Sequence, residues 1–175
     1  MKIRSYVSPT AILFSSTLCI TLFTSRPAKA DHERISIDAD AVWRTDSHDD
    51  TGWGGGLRLG HSWEILFLSL TPELGLSYHD FGTGGPTDFR GFAGGRVGID
   101  FILQPSVFAH AGLGHAGRTE SQTSLAYDFG GALDLTVLPV DIGIHALFSG
   151  IAGDSSSSAL TWFGAGAHLT FKWKS

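Results

Sequence analysis

The chain has 175 residues, 12 of them basic and 17 acidic, with a formal net charge of −5. This is the length of one domain, and the acidic balance makes nucleic acid a poor partner, because phosphate binding depends on clustered basic residues. The single cysteine, Cys19, leaves no internal disulfide to form.

Residues 1–30 have the pattern of a cleavable signal peptide. Lys2 and Arg4 give a basic start, residues 11–23 are uncharged and mostly apolar, and the small residues Ala28 and Ala30 suit a cleavage site. Cleavage after Ala30 predicts one mature domain, residues 31–175, without cysteine and with a formal charge of −9 from eight basic and 17 acidic residues. A retained N-terminal anchor is the alternative, but the apolar run is short for a spanning helix.

The mature chain alternates between apolar and polar residues, and the stretch from Leu68 to His79 does so without a break. Successive side chains of a strand point to opposite faces, so a period of two predicts strands with one apolar face. Eight such segments follow one another. They are residues 34–45, 52–63, 68–81, 89–101, 106–117, 124–137, 140–151 and 159–173.

The connections between these segments alternate in character. Residues 46–51, 82–88, 118–123 and 152–158 are polar, whereas 64–67, 102–105 and 138–139 are tight. Longer external loops and short periplasmic turns are typical of outer-membrane barrels. The sequence therefore predicts an all-β fold, an eight-stranded antiparallel up-and-down transmembrane β-barrel with both termini on the periplasmic side. The loop acids Asp46, Asp49, Asp50 and Asp88 either bind divalent cations beside lipopolysaccharide or are solvated loop charges.

Charged residues and glycines share one face of the predicted strands, and large apolar residues share the other. A membrane barrel places the apolar face outside, whereas a soluble lipocalin-like barrel places it inside. Aromatic residues near both ends of the apolar face and glycines on the polar face favour the membrane arrangement. The predicted inward charges are Asp38, Asp40, Glu73, Asp100, Asp128, Asp134, Asp141, Arg44, Arg58, Arg90, Arg96 and Lys172. Pro72 interrupts one strand and predicts a bulge or a strand start there.

These features together resemble the small outer-membrane β-barrel proteins of Gram-negative bacteria, such as the OmpA/OmpX-like membrane domains. The resemblance covers nearly all of residues 31–175 and rests on the signal segment, the eight strands, the stretch Leu70–Leu76 and the aromatic last strand. It implies that Phe171 and Trp173 belong to the signal that the outer-membrane assembly machinery reads. The family prefers an aromatic residue at the very end, where this chain has Lys174 and Ser175.

The inward charges have two interpretations: a salt-bridge network that fills the barrel, or a proton or ion pathway. The alternation also directs four histidines inward: His79, His110, His145 and His168. No two of them have the close sequence spacing typical of metal ligands. Some eight-stranded outer-membrane barrels are enzymes that modify lipid A, so a catalytic function has to be considered. However, His61 and Ser62 are adjacent on a strand and point to opposite faces, and the loop from Asp154 to Ser158 reads as a flexible tip. No catalytic, cofactor-binding or metal-binding residue is therefore assigned, and no cofactor is expected.

The sequence predicts a monomeric, non-catalytic outer-membrane protein with a structural or surface-interaction role and without an open pore. Its expected partners are outer-membrane lipid, lipopolysaccharide and the assembly machinery, with no nucleic acid. Bulky interior residues, Phe92, Phe108, Leu147 and Trp162, are expected to plug the lumen. The alternatives are a lipid A-modifying enzyme and a soluble periplasmic ligand-binding barrel.

Overall fold

The computed structural model describes residues 32–45, 51–117, 122–137, 140–153 and 158–174. The predicted signal peptide, the loop acids Asp46, Asp49 and Asp50, and most of the loop from Asp154 to Ser158 lie outside the described residues. Within them, no helix has the length and apolar character needed to cross a bilayer.

Eight antiparallel strands form a closed barrel in which each strand pairs with its sequence neighbours and the last pairs with the first. Every predicted strand is present, with its ends within three residues of the expected positions, so the fold-class prediction is confirmed. The strands are β1 (His32–Arg44), β2 (Thr51–Ile65), β3 (Leu68–Asp80), β4 (Thr87–Ile99), β5 (Leu103–Gly117), β6 (Gln122–Val137), β7 (Val140–Ile151) and β8 (Leu160–Trp173).

The strand pairing fixes how strongly the barrel is staggered. A path of directly paired residues that leaves β1 at Arg34 returns to β1 at Arg44, ten residues further along. The path runs through Gly60, Glu73, Gly94, His110, Asp128, Ser149 and Trp162. With eight strands, a stagger of ten residues corresponds to a tilt of about 40° from the barrel axis.

Strand length and tilt together set the height of the barrel. The strands contain 12 to 16 residues, and at this tilt each residue advances about 2.5 Å along the axis. A strand therefore climbs about 30–40 Å, more than the ~25 Å apolar band of an outer-membrane barrel.

The faces of the strands follow the predicted phase. Large apolar side chains are exposed on the outside, including Leu57, Leu74, Val107, Leu133 and Ile144, whereas the predicted inward charges of the strand interiors are buried or half-buried. The lipocalin-like alternative, with its apolar face inside, is therefore wrong for the described residues. The two ends of the outer surface also have the predicted exposed aromatic rings: Trp43, Trp53, Tyr78, Phe89 and Phe163 at one end, and Phe101, Phe171 and Trp173 at the other.

Pro72 lies within β3 and does not create a bulge. Gly60 pairs with Glu73 and Trp63 pairs with Leu70, so both strands advance by three residues across the interruption. No extra residue is inserted, and the pairing lapses only where Pro72 has no N–H to donate. The prediction of a bulge or a strand start is corrected on this point.

Two neighbouring turns at the end that carries the chain termini are apolar. The β2–β3 turn exposes Leu66 and Phe67, and the β4–β5 turn exposes Phe101 and Ile102. The Asp100 backbone N–H donates to the Phe67 carbonyl at 2.8 Å, so the two turns are contiguous. Leu66 has a φ of 58°, a left-handed conformation that is uncommon for a residue with a side chain.

Candidate functional site

The lumen of the barrel contains a network of buried charges supplied by all eight strands. Alternation along each strand directs these side chains inward, and a buried charge is stable only when it is paired or hydrogen-bonded. Glycines on the same face make room for them. A Cβ atom at Gly143 would lie 2.4 Å from His168 Nε2, and one at Gly54 would lie 2.2 Å from the ring of His79.

Glu73 is the centre of the network on the side of the lumen nearer the chain termini. Its Oε1 lies 3.2 Å from Arg96 Nε, and its Oε2 lies 3.7 Å from Arg58 Nη1. His110 Nε2 is 3.0 Å from the same Oε2. The side chain of Glu73 is 1% exposed, so this carboxylate depends on three cationic or N–H partners in place of water.

Two aspartates continue the network around the wall. Arg58 donates to both carboxylate oxygens of Asp38, with Nε 3.0 Å from Oδ2. Arg96 donates from Nη1 to Asp134 Oδ2 at 3.3 Å. Paired, planar Arg–carboxylate contacts of the first kind are among the strongest hydrogen bonds in proteins.

A second group of charges lies towards the opposite mouth. Asp88 Oδ2 is 3.0 Å from Arg90 Nε and 3.1 Å from His79 Nδ1. His79 Nε2 lies 3.4 Å from Asp40 Oδ2. Arg90 also donates to Ser149 Oγ at 2.5 Å and lies 3.7 Å from Asp128 Oδ2.

His145 and His168 form an adjacent pair between these two groups, with ring centroids 5.3 Å apart and ring planes tilted by 35°. Their Nδ1 atoms are 3.1 Å apart. The outer nitrogen of each ring contacts a carboxylate: His145 Nε2 lies 2.5 Å from Asp40 Oδ1, and His168 Nε2 contacts Asp134 Oδ1.

These contacts close into a circuit around the lumen, which we call the ion circuit. In order, its members are Asp88, His79, Asp40, His145, His168, Asp134, Arg96, Glu73, His110, Asp128 and Arg90, which returns to Asp88. Asp38 and Arg58 attach to it through Glu73.

Each histidine of the ion circuit has a contact at both of its ring nitrogens. Ionised carboxylates only accept hydrogen bonds, so both ring nitrogens of His79 and of His110 must donate to the carboxylates that flank them. In the His145–His168 pair, the two Nδ1 atoms contact each other and each Nε2 atom contacts a carboxylate. With the attached Asp38 and Arg58, the ion circuit contains six carboxylates, three arginines and four histidines.

An apolar cluster lies above the ion circuit, at the end opposite the termini. Its buried members are Val42, Phe81, Ala116, Ala126, Ile151, Leu160 and Trp162. The Arg90 guanidinium carbon lies 4.8 Å from the centre of the Trp162 ring, which joins the cluster to the charges. Phe108 is also buried, and Phe92 and Leu147 line the lumen as predicted.

A small cavity of about 30 Å³ remains inside the barrel. It is bordered by Asp38, Asp40, Arg58, His145 and Phe108, among other lumen residues. This is space for about one or two water molecules rather than for a solute path.

Three sequence assignments are corrected. Asp88 is a fully buried member of β4 rather than a loop acid, because the strand begins at Thr87, two residues earlier than predicted. Asp100 follows the end of β4 at Ile99 and lies in a turn, where Gln104 donates to its Oδ1 at 2.7 Å. Arg34 was missed, although it has the same parity as Asp38; it is buried and donates to Thr170 Oγ1 at 3.4 Å.

The described residues also bear on the hydrolase candidates. His61 Nδ1 contacts Glu33 Oε1 at 2.9 Å on the outside, whereas Ser62 is buried and bonds Thr71 Oγ1 at 2.7 Å on the inside. These two residues do lie on opposite faces. His115, which no sequence motif singles out, is exposed at the loop end of β5, with Nδ1 2.9 Å from Thr123 Oγ1.

The fold of the chain is that of small outer-membrane barrels. Neisserial surface protein A (NspA) superposes with a TM-score of 0.61 at 14% identity, over 85% of this chain and 100% of that chain. Ail of Yersinia pestis, solved with the heparin analogue sucrose octasulfate, gives 0.54 at 15% identity, over 83% and 100%. The outer-membrane enzyme PagL gives 0.51 at 14% identity, over 78% and 98%. No protein-family model and no curated protein matches the sequence.

Proposed function

We propose that the chain is an integral outer-membrane β-barrel with a sealed lumen, and that its role is structural or surface-interacting rather than catalytic. One observation carries this proposal: the described barrel is apolar outside and charged inside. Water would favour the reverse arrangement. In lipid the exposed side chains are solvated and every strand finds its backbone partners through closure.

The topology supports an orientation with the termini in the periplasm. In this proposal residues 1–30 are the cleaved signal peptide, and the polar connections 46–51, 82–88, 118–123 and 152–158 face the lipopolysaccharide side. The apolar turns at Leu66–Phe67 and Phe101–Ile102 extend the lipid-facing surface on the β2–β5 side, so we expect the barrel to tilt towards that side in the bilayer. The assembly machinery is the proposed partner for insertion, and the proposed state is a monomer.

The filled lumen supports a protein without a stable pore. Eight strands enclose an interior that side chains fill, and in this barrel the ion circuit and the apolar cluster leave a cavity of about 30 Å³. Planar-bilayer recordings of refolded protein should show no long-lived conductance. Reproducible openings that pass small sugars would contradict the proposal and indicate a porin.

Fractionation tests the location. The mature protein, beginning at Asp31, should be recovered from the outer membrane only with detergent, and on gels it should migrate differently when folded and when heated. Native protein in the detergent-free periplasmic fraction would refute membrane insertion.

A lipid A-modifying enzyme is the second candidate, because PagL shares the fold and because His115 lies beside a hydroxyl nucleophile candidate, Thr123. Lipid A profiles of cells that carry wild type, His115→Ala or an empty vector should be identical under the structural proposal. A profile that changes with wild type and reverts with His115→Ala would establish the enzyme instead. The outward variant His61→Ala is the matched control.

A further inference from the structure

The His145–His168 pair has the features of a metal site. We propose that His145 Nδ1, His168 Nδ1 and the carboxylate of Asp38 bind one divalent transition-metal ion of the Zn²⁺ class inside the barrel. The ligand atoms that these three residues offer all lie within 4.8 Å of one another, and His145 and His168 are buried. This inference goes beyond the structural role proposed above.

The orientation of the two rings is the strongest argument. Metal-binding histidines generally donate their second ring N–H to a carboxylate, which fixes the tautomer and directs the free nitrogen at the metal. Here Asp40 holds Nε2 of His145 and Asp134 holds Nε2 of His168. Both Nδ1 atoms therefore point at the same small space, from opposite sides.

The backbone is arranged to accept this pair. In the β7–β8 ladder His145 is paired with Gly166, and His168 is paired with Gly143. A Cβ atom at Gly143 would lie 2.4 Å from His168 Nε2, and one at Gly166 would lie 2.4 Å from Asp40 Oδ1. Side chains at these glycines would displace the rings or the carboxylates that orient them.

Binding requires only small movements. A tetrahedral Zn²⁺ ion with bonds of about 2.0–2.2 Å holds its ligand atoms about 3.3–3.6 Å apart. The Nδ1 atoms are already 3.1 Å apart, and the other ligand distances, at most 4.8 Å, need to shorten by no more than about 1.2–1.5 Å. A carboxylate has about four lone-pair positions, so Asp38 retains a contact with Arg58.

The cavity beside these ligands has room for the fourth ligand of a tetrahedral ion. It is bordered by Asp38 and His145 and has room for a water molecule on the ion. Imidazole and carboxylate ligands suit Zn²⁺ and its first-row neighbours rather than Ca²⁺ or Mg²⁺, which prefer oxygen ligands alone.

Metal analysis of refolded protein tests this inference. The untagged protein is unfolded in urea with a chelator, refolded in detergent micelles with ZnCl₂ or CoCl₂, desalted and analysed for bound metal. Wild type should retain one ion per chain. His145→Gln and His168→Gln should lose it, and Asp40→Asn should weaken it by about 10–100-fold.

Three matched variants serve as controls. His110→Gln removes another buried lumen histidine, His61→Gln an outward one, and His48→Gln one from residues 46–51, which the sequence predicts to be a polar connection; each should retain the ion. Heat-modifiable gel migration reports whether each variant has folded.

Spectroscopy of wild type keeps the test decisive if the site variants do not fold. X-ray absorption of the bound zinc should show two imidazole nitrogens and oxygen in the coordination shell. An oxygen-only shell, no metal retained after desalting, or equal loss in the His110→Gln, His61→Gln or His48→Gln controls would overturn the proposal.

Discussion

Replacing Glu73 with glutamine removes one charge from the centre of the ion circuit and changes little else. The carboxylate lies 3.2 Å from Arg96 Nε and 3.0 Å from His110 Nε2. In Glu73→Gln an amide NH₂ must face at least one of these donors, and Arg58 and Arg96 each lose one of the two carboxylates that they contact. We expect the free energy of unfolding to fall by about 3–5 kcal/mol, the usual cost of removing one partner of a buried ion pair.

Glu33→Gln is the matched control, because Glu33 also pairs with a histidine but at the outer rim. Its side chain is 37% exposed and lies 2.9 Å from His61 Nδ1. Exposed pairs contribute about 0–1 kcal/mol. The two substitutions make the same chemical change, so the difference between them isolates burial inside the lumen.

Equilibrium urea unfolding in lipid vesicles, followed by tryptophan fluorescence, measures both variants. A loss of 3–5 kcal/mol is roughly a 150- to 5000-fold change in the unfolding constant. If Glu73→Gln and Glu33→Gln differ by less than about 1 kcal/mol, the reasoning from buried charge is refuted.

Two further predictions concern the two faces of β6. Leu133→Arg should lower stability in lipid vesicles by about 2–4 kcal/mol, since Leu133 faces outward on the apolar surface, four residues before the end of β6. Wild-type stability of this variant would argue against lipid contact. Gly130→Ala should cost about 1–3 kcal/mol, because its Cβ would lie 2.2 Å from the Ala146 carbonyl oxygen. At the adjacent Gly131, an added Cβ would meet no atom nearer than 3.5 Å, so Gly131→Ala should be neutral or stabilise by about 0.5–1 kcal/mol. If urea unfolding finds Gly131→Ala less stable than Gly130→Ala, the assignment of inward and outward faces on β6 is contradicted.

The sequence was sufficient for the strands and their faces because both follow from local alternation. Leu133 and Asp134 are adjacent, and their opposite environments can be read directly from the period of two. The same signal would have identified Arg34, which shares the parity of Asp38. Asp88 was misplaced because strand ends carry little periodic information, and two residues of error moved it from the wall to a loop.

The contacts of the ion circuit could not be predicted in the same way. They depend on the stagger of the strands, which sets the height at which each side chain enters the lumen. His145 and His168 are 23 residues apart, and Asp40 and His145 are 105 apart. The meeting of His145 and His168 requires the register of the β7–β8 pair, and that of Asp40 and His145 also requires closure between β1 and β8. No single strand encodes either feature.

Several contacts of the ion circuit join strands that are not neighbours in the sheet. Asp40 on β1 reaches His145 on β7, and Arg96 on β4 reaches Asp134 on β6. Such contacts form only once the sheet has curled, so an open intermediate would present unpaired charges to the hydrocarbon. A slip of two residues at the β1–β8 seam would leave every side chain on its proper face and still separate Asp40 from His145. The pairing of the interior charges therefore stabilises the barrel with this strand number and register relative to misregistered barrels. The apolar outer surface alone would not distinguish these forms, because each of them keeps its apolar side chains outside.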